Sequence, residues 1–165
     1  VPPWAQDLKH GARMINARSE TIFDKASFKR PIREQRCVIP ASGFYEWQKT
    51  ATGKDPMLIR APSHAPLCLA GIWSVWRAPD GTQVHTASIL TTQVNADMQH
   101  LHHRMPVLLD SNGTDQWLNP DWIDRTEITA LLRPAPAGSL ATQPVARHVN
   151  SVRNEGPRCW AASDS

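Results

Sequence analysis

Residues 36–47 read RCVIPASGFYEW, and no other stretch constrains the fold as strongly. An apolar run is joined through three small residues to a second run in which the side chains alternate in character. This pattern predicts two strands connected by a turn. Because successive side chains of a strand point to opposite faces, Phe44 and Glu46 should share one face, and Tyr45 and Trp47 should share the other.

Glu46 is therefore a carboxylate set among aromatic side chains. Burying such a group is costly unless it is paired or protonated, and general acid/base catalysis uses this kind of environment. Taken alone, a glutamate in a strand is more often solvated at a strand edge. Whether Glu46 belongs to a buried catalytic site thus depends on whether the rest of the chain supplies partners for its carboxylate.

The rest of the sequence predicts a single α+β domain in which a mostly antiparallel, barrel-like sheet carries a few peripheral helices. Gly53 should lie in a hairpin loop, and the apolar run 67–76 is typical of a central strand. Pro31 should end the first helix, while Trp117 and Trp122 should lie on apolar faces. The other predicted strands are 13–21, 56–60, 83–92, 102–109 and 141–149, and the predicted helical segments are 21–28, 95–101, 115–118 and 121–132.

Composition and charge limit the partners and the cellular compartment that we expect for the protein. The chain has 165 residues, 41% of them hydrophobic, and its net charge of +3 is compatible with a polyanionic partner. The most basic segment, 25–36, is typical of a solvated face. Three cysteines without a C-x-x-C pair indicate neither a disulfide framework nor a cysteine zinc site. No run approaches the ~20 apolar residues of a membrane helix, and no leader is recognised. We therefore expect a cytoplasmic protein that has no membrane partner.

A cluster of histidines is the second group of candidate catalytic or metal-binding residues in the sequence. It consists of His100, His102 and His103. On an extended segment His102 and His103 would point to opposite faces, and no carboxylate or cysteine lies at a helpful spacing, so we expect no metal and no cofactor. Arg104 places a phosphate-binding guanidinium beside the His102 imidazole, which is a useful pair near a nucleic-acid strand.

Several separated motifs together resemble one known family. They are VPPWA, INARSET, RCVIPASGFYEW, ILTT, HHRMPV and VNSVRNEGP, and they span the chain from Val1 to about residue 157. In this order and at these separations they closely resemble the SOS-response-associated peptidase (SRAP) family. The resemblance rests on matched residues, and the composition of the chain would not have indicated it.

The resemblance implies that the protein shields abasic sites in single-stranded DNA. In the family, a cysteine at the mature N-terminus attacks the open-chain aldehyde of an abasic deoxyribose with its α-amine and its thiol, and the product is a thiazolidine DNA–protein crosslink. A self-processing peptidase activity removes the residue before that cysteine. The implied partner is single-stranded DNA that contains abasic sites, and we expect the protein to act on it as a monomer.

The resemblance also assigns catalytic roles to residues at matched positions. Glu46 would act as the acid/base that assists opening of the sugar ring and activation of the amine. His102 would exchange a proton with the sugar oxygen, and Asn16 would orient the N-terminal cysteine. A paired glutamate and histidine suit imine formation, which needs one group to protonate the leaving oxygen and another to accept the proton of the amine.

Five further residues match positions that contact DNA in the family. Arg18 and Arg104 would bind the phosphates that flank the abasic site, and Thr91 would help to shape the pocket. Pro3 and Trp4 resemble the wedge and stacking surface that separates the abasic position from the neighbouring bases.

The sequence departs from the family pattern at two points. His103 stands where the family usually has an aspartate. The cysteine nucleophile has no counterpart, because Cys37, Cys68 and Cys159 do not match its position and lack the free α-amine that thiazolidine closure requires. We therefore expect the segment that carries the nucleophile to precede Val1, and the chain without it should not crosslink.

Two alternative functions remain open at this stage. The first is a module that binds single-stranded or junction DNA without bonding to it. The second is a conventional hydrolase that uses Cys37 or Ser42 as its nucleophile. It is less favoured, since Ser42 sits in a predicted turn without a G-x-S-x-G context.

Overall fold

The computed structural model describes residues 1–51, 53–121 and 124–162, and these residues form two units. The first unit holds Val1–Pro40, Cys68–Gln93 and the described residues of 106–134. The second unit holds the described residues of 41–67, 94–105 and 135–162. Most strands of the five-stranded sheet lie in the first unit, and the three strands of the other sheet lie in the second unit.

Among the described residues, strands hold more of the chain than helices do, and the helices are short. The strands are β1 (Asn16–Arg18), β2 (Arg36–Ala41), β3 (Phe44–Thr50), β4 (Gly53–Arg60), β5 (Leu67–Arg77), β6 (Gln83–Gln93), β7 (Arg104–Pro106) and β8 (Ala141–Pro144). The α-helices are α1 (Pro31–Glu34), α2 (Ser111–Leu118) and α3 (Arg125–Leu131). Short 3-10 helices cover Leu8–Arg13, Ser19–Thr21, Arg147–Asn150 and Pro157–Trp160. None of the described helices is long and apolar enough to cross a membrane.

The sheet of the first unit has the strand order β1-β6-β5-β2. β5 and β6 form an antiparallel pair in which Gly71 lies opposite Ile89, and β1 pairs with β6 in parallel. Gly81 in the turn between β5 and β6 has φ +88°, a left-handed conformation that favours glycine. The α+β class and the mostly antiparallel pairing are confirmed. The barrel-like closure is wrong, because the strand order leaves β1 and β2 as the ends of an open sheet.

Apolar side chains from β1, β5, β6 and the helices pack into the core of the first unit. Ile22, Ile32, Leu90, Trp117 and Ile128 are all fully buried in this core. The indole Nε1 of Trp117 donates a hydrogen bond to a backbone carbonyl of β2 at 2.9 Å. Trp117 therefore ties α2 to the sheet through both its buried surface and its polar atom.

The basic segment 25–36 was predicted to be a solvated face, but Arg36 is an exception. Its side chain is half-buried, and its Nε donates to the backbone carbonyl of Trp117 at 2.7 Å. Its Nη1 donates to the carbonyl of Ile32 at 3.1 Å, and burial lowers the pKa of the guanidinium. Arg36 thus holds α1 and α2 together at the start of β2.

The helix predicted over residues 21–28 is wrong. These residues form successive turns after the 3-10 helix Ser19–Thr21, although Ile22 and Phe23 are buried as the apolar spacing predicted. The helix begins at Pro31 instead of ending before it. Proline suits the first helical turn because its φ is already helical and the N–H that it lacks would have no partner there.

Aspartates begin both of the later helices. The Asp110 carboxylate accepts a hydrogen bond from the backbone N–H of Gly113 at 2.7 Å, and Asp124 accepts from two backbone N–H groups at 2.8 and 3.0 Å. Such caps satisfy N–H groups that have no partner within the helix. α2 and α3 confirm the two helical segments predicted in this region, while the prediction for Trp122 lies outside the described residues.

The sheet of the second unit consists of β3, β4 and β8 in that order, with antiparallel pairing throughout. β3 and β4 form the predicted hairpin, in which Thr50 lies opposite Gly53. Buried residues of β4, including Leu58 and Ile59, contribute to the core of this unit. The last strand is shorter than predicted, because β8 ends at Pro144 and a 3-10 helix follows. β3 is left as an edge strand of its sheet.

Asp97 organises the segment of the second unit that carries the histidines. Its carboxylate accepts hydrogen bonds from the backbone N–H of Gly138 at 2.8 and 3.1 Å and from that of Leu140 at 3.1 Å. Asn95 adds a side-chain donor to the carboxylate at 3.1 Å and donates to the carbonyl of Ala135 at 3.1 Å. Burial acts to raise the pKa of Asp97, but these hydrogen bonds hold it below its ordinary value.

We predict that Asp97→Asn lowers the free energy of unfolding by about 2 kcal/mol at neutral pH, because the amide replaces a charged acceptor of several backbone N–H groups. The carboxyl pKa is lower in the folded state, so its contribution is present above the ordinary carboxyl pKa and is lost as pH falls through the folded value. Urea unfolding at several pH values measures both effects. The difference between wild type and variant should shrink in acid, and a difference that is independent of pH would contradict this account.

Candidate active site

β3 presents Glu46 at the edge of the second unit's sheet. In the antiparallel register with β4, Glu46 lies directly opposite Met57, which is buried. The Glu46 side chain is 28% exposed, so the expectation of a buried carboxylate is wrong. An edge strand keeps one side of each residue open to solvent, which explains why Glu46 is half-buried.

At the start of β3, the backbone of Gly43 packs closely against residues of β4. A Cβ at this position would lie 2.7 Å from the carbonyl oxygen of Ile59 and 3.1 Å from a methyl carbon of Leu58. A backbone oxygen cannot move away from such a contact without distorting β4. Glycine in the motif ASGFYEW therefore permits the tight packing of the strand that carries Glu46.

His102 is the partner that the structure gives to Glu46. The His102 Nδ1 lies 3.8 Å from Oε1 of Glu46, and the imidazole side chain is 38% exposed. The same nitrogen lies 3.1 Å from the backbone N–H of Arg104 and 3.0 Å from the carbonyl oxygen of Arg104. The structure thus brings together three of the predicted site residues in the second unit.

The surroundings of His102 Nδ1 suit both of its protonation states. When this nitrogen is unprotonated, it can accept the hydrogen bond from the N–H of Arg104. When it carries a proton, it can donate to the carbonyl of Arg104 and face the Glu46 carboxylate. A histidine with a partner for each state can exchange a proton without a rearrangement of the backbone.

His102 and His103 do not point to opposite faces as expected. Their ring centroids lie 4.4 Å apart at an interplanar angle of 35°. The segment before β7 is bent and not extended, and this places the two rings side by side. No group of three histidine, cysteine or carboxylate side chains within residues 1–51, 53–121 and 124–162 is arranged to hold a metal ion.

An open groove of about 580 Å³ runs beside Glu46 and His102 within the second unit. One wall comes from the β3–β4 hairpin and the other from residues 99–103. Besides Glu46, His102 and His103, its lining residues are Trp47, Lys49, Lys54, Gln99, His100 and Leu101. The sequence-based reasoning missed the two lysines, although their places on either side of the predicted hairpin loop could have indicated that they face each other.

Two hydrogen bonds link the GFYEW motif to the C-terminal part of the second unit. The indole Nε1 of Trp47 donates to Oδ1 of Asn150 at 2.8 Å, and the hydroxyl of Tyr45 donates to the carbonyl of Cys159 at 3.0 Å. Burial and the neighbouring Cys159 raise the pKa of Tyr45, which favours the protonated donor. Asn150 of the VNSVRNEGP motif and the backbone at Cys159 thus both help to fix β3.

The first unit holds a second group of the predicted site residues. Asn16 and Arg18 lie on the exposed face of β1, while Ala17 between them is fully buried. Arg18 pairs in register with Thr91 of β6, and Thr91 is buried. The alternation predicted for this strand is confirmed, and it gives Asn16 and Arg18 a common face.

Pro3 and Trp4 also belong to the first unit and lie in an exposed turn. Trp4 is 59% exposed, and its ring meets that of His10 edge to face at a centroid distance of 5.4 Å. Its largely free surface is compatible with the expected stacking role.

Neither residue of the hydrolase alternative has the surroundings of a nucleophile. Burial raises the pKa of the Cys37 thiol, which disfavours the reactive thiolate. Ser42 is exposed at the turn between β2 and β3 and has no catalytic partner among the hydrogen bonds of the described residues.

Comparison with known proteins identifies the family to which this chain belongs. The sequence profile described as SOS response associated peptidase (SRAP) matches residues 1–152. The chain belongs to the SRAP family. This confirms the resemblance that the separated motifs indicated.

Relatives of known name agree with this assignment. The chain is 40% identical over 158 residues to Abasic site processing protein YoqW of Bacillus subtilis (strain 168), which covers 95% of this chain and 70% of the relative. It is 34% identical over 183 residues to Abasic site processing protein HMCES of Gallus gallus, covering 96% of this chain and 54% of the relative.

A solved structure shows the same fold. A crystal structure of a protein from Bacteroides thetaiotaomicron superposes with a TM-score of 0.87 at 29% sequence identity. The superposition covers 98% of this chain and 73% of the other chain.

We predict that Gly43→Ala destabilises the protein by about 1–3 kcal/mol, because the added methyl group would overlap the carbonyl of Ile59. Ser42→Ala is the matched control, since its exposed side chain should be dispensable. Thermal and urea unfolding of both variants measure the effect. Equal stability of the two variants would show that the close approach at Gly43 is unimportant.

Proposed function

We propose that the protein processes abasic sites in single-stranded DNA, with Glu46 and His102 as an acid/base pair that acts on the abasic sugar. The observation that carries this proposal is the 3.8 Å contact between His102 Nδ1 and Glu46 Oε1 at the edge of an open groove. The names of the relatives, YoqW and HMCES, support the choice of substrate, because both are described as abasic site processing proteins.

The first chemical task is to open the sugar ring. An abasic deoxyribose is mainly a cyclic hemiacetal, and only its open form has a reactive aldehyde. Opening requires a base that takes the proton of the C1′ hydroxyl and an acid that gives a proton to the ring oxygen. In the proposal, the Glu46 carboxylate is the base, and His102 in its protonated state is the acid.

The second task is capture of the aldehyde. An amine adds to C1′, the resulting carbinolamine loses water to give an imine, and a thiol then adds to the imine carbon to close a thiazolidine ring. Glu46 can accept the proton that the amine releases, and His102 can protonate the leaving oxygen. After ring opening, Glu46 holds the proton of the C1′ hydroxyl and His102 has given its proton to the ring oxygen. Return of that proton from Glu46 to His102, across their 3.8 Å contact or through solvent, restores both groups, so the same pair can then serve capture.

Thiazolidine closure requires one cysteine that offers both a free α-amine and a thiol. Internal cysteines lack the free amine, so Cys37, Cys68 and Cys159 cannot perform this step. The crosslinking form of the proposal needs an N-terminal cysteine, which this sequence does not contain. Self-processing, the removal of the residue before that cysteine, belongs to the same part of the proposal.

The DNA contacts of the proposal come from residues at matched family positions. Arg18 and Arg104 would bind flanking phosphates, and Asn16 would orient the nucleophile. Trp4 and Pro3 would stack against and wedge apart the neighbouring bases, and Thr91 would shape the pocket. The exposure of Asn16, Arg18 and Trp4 supports these roles.

Free L-cysteine allows a test of the acid/base pair, because it supplies the amine and the thiol from solution. The protein is incubated with L-cysteine and a single-stranded oligonucleotide that contains one abasic site, and the thiazolidine adduct on the DNA is followed by mass spectrometry. We expect the protein to accelerate formation of the adduct. Glu46→Gln and His102→Ala should each reduce this acceleration by about a hundredfold without changing the affinity for DNA.

The matched control for this test is Glu34→Gln, which changes an exposed carboxylate of α1 that pairs with Arg30. It should accelerate the reaction as the wild type does. Binding of abasic DNA without any acceleration would overturn the catalytic proposal and favour the noncovalent DNA-binding module. Loss of the folded state in the Glu46 or His102 variants would assign these residues a structural role instead.

We further predict that Arg18→Ala weakens binding of single-stranded DNA and makes it less sensitive to salt. One lost phosphate contact should reduce the slope of log affinity against log salt concentration by about 0.7. Arg13→Ala is the matched control, because Arg13 is also exposed in the first unit. Fluorescence anisotropy at several salt concentrations measures both slopes, and equal effects of the two substitutions would argue against a specific role for Arg18.

A further inference from the structure

The β3–β4 hairpin carries two lysines that face each other across the strands. Lys49 lies directly opposite Lys54 in the antiparallel register, and both side chains are exposed. Like charges at directly opposed positions of a sheet destabilise it. The arrangement therefore favours a bound anion between or beside the two ammonium groups.

The acidic residue nearest in sequence does not neutralise this pair. Asp55, the acidic residue next to Lys54, lies opposite Gln48 and hence on the other face of the hairpin. Its carboxylate is engaged by Arg147, with Nη2 at 2.7 Å and Nε at 3.2 Å from Oδ1. Within residues 1–51, 53–121 and 124–162, neither Lys49 nor Lys54 forms an ion pair.

The two lysines line the same groove as Glu46 and His102. Strand alternation places Glu46 on the opposite face of β3 from Lys49, but β3 is an edge strand, and the groove is lined by residues from both of its faces. Apart from Glu46, the titratable side chains that line this groove are Lys49, Lys54, His100, His102 and His103. The groove is thus positive or neutral everywhere except at the Glu46 carboxylate. A polyanion that runs through it can place one unit at Glu46 and its next charges at the lysines.

We propose that Lys49 and Lys54 bind the phosphodiester backbone of the single strand next to the nucleotide held at Glu46 and His102. This inference rests on the proposed function and extends it, since it assigns a backbone-binding subsite to the hairpin. The lysines contribute charge that attracts any sequence, because phosphates carry no base information. Trp47 lies on the same strand face as Lys49, so a base of the bound strand can meet its indole ring.

The test uses a short single-stranded oligonucleotide with a central tetrahydrofuran, a stable analogue of an abasic site. Its affinity for the protein is measured by fluorescence anisotropy at several salt concentrations. For Lys49→Gln with Lys54→Gln we expect about a tenfold loss of affinity near 0.1 M salt. The slope of log affinity against log salt should fall by about 1.4, because two phosphate contacts of about 0.7 each are lost.

The matched control is Lys25→Gln with Lys29→Gln, which removes the same total charge from exposed positions of the first unit. It should change the affinity by less than twofold. Lys49→Arg with Lys54→Arg keeps the charge and should retain the slope of the wild type. Equal losses in the two glutamine pairs would overturn the inference, because the effect would then come from net charge alone.

Two further outcomes separate this inference from the proposed function. An unchanged slope in the Lys49 and Lys54 variant overturns the backbone subsite, while acceleration of thiazolidine formation by the wild type still supports the roles of Glu46 and His102. Absence of DNA binding by the wild type overturns the proposed function and this inference together. Thermal unfolding of each variant verifies that the hairpin is intact.

Discussion

The pairing of β3 with β4 is the constraint on which the candidate active site depends. Its register decides that Glu46 lies over a buried methionine and that the two lysines of the hairpin face each other. The close approach at Gly43 sets where this pairing begins. A shift of one residue would turn every side chain of β3 to the opposite face, and Glu46 would lose its place beside Met57.

Other parts of the second unit hold both β3 and the segment that carries His102 in place. Hydrogen bonds from Tyr45 and Trp47 tie β3 to the C-terminal part of the unit, and the Asp97 carboxylate binds residues 138–140 to the segment that carries His102. Glu46 and His102, the proposed acid/base pair, are thereby held by residues that only bind backbone groups or other side chains. Such support limits the movement of a half-buried carboxylate and its imidazole partner, which an exposed edge strand alone would not do.

Predictions that depended on local sequence patterns were more accurate than those that depended on the tertiary structure. Strands with strong alternation or continuous apolar runs, such as β5 and β6, were predicted well because a two-residue period is a local property. The helix predicted over 21–28 was wrong. The spacing of Ile22 and Phe23 correctly indicated that both are buried, but it did not show that the backbone there forms turns and not a helix. The rings of His102 and His103 were placed wrongly because a bend in the backbone was not visible in the sequence.

The sequence by itself determined the family, the strand that carries Glu46 and the common face of Asn16 and Arg18, because motifs and strand periodicity are local. Only the tertiary structure decided that Glu46 is half-buried, that His102 Nδ1 faces it at 3.8 Å, and that Lys49 and Lys54 line the same groove. The physical reason is distance along the chain. Glu46 and His102 are brought together by packing of segments that are remote in sequence, and no local preference specifies how deeply an edge residue is covered.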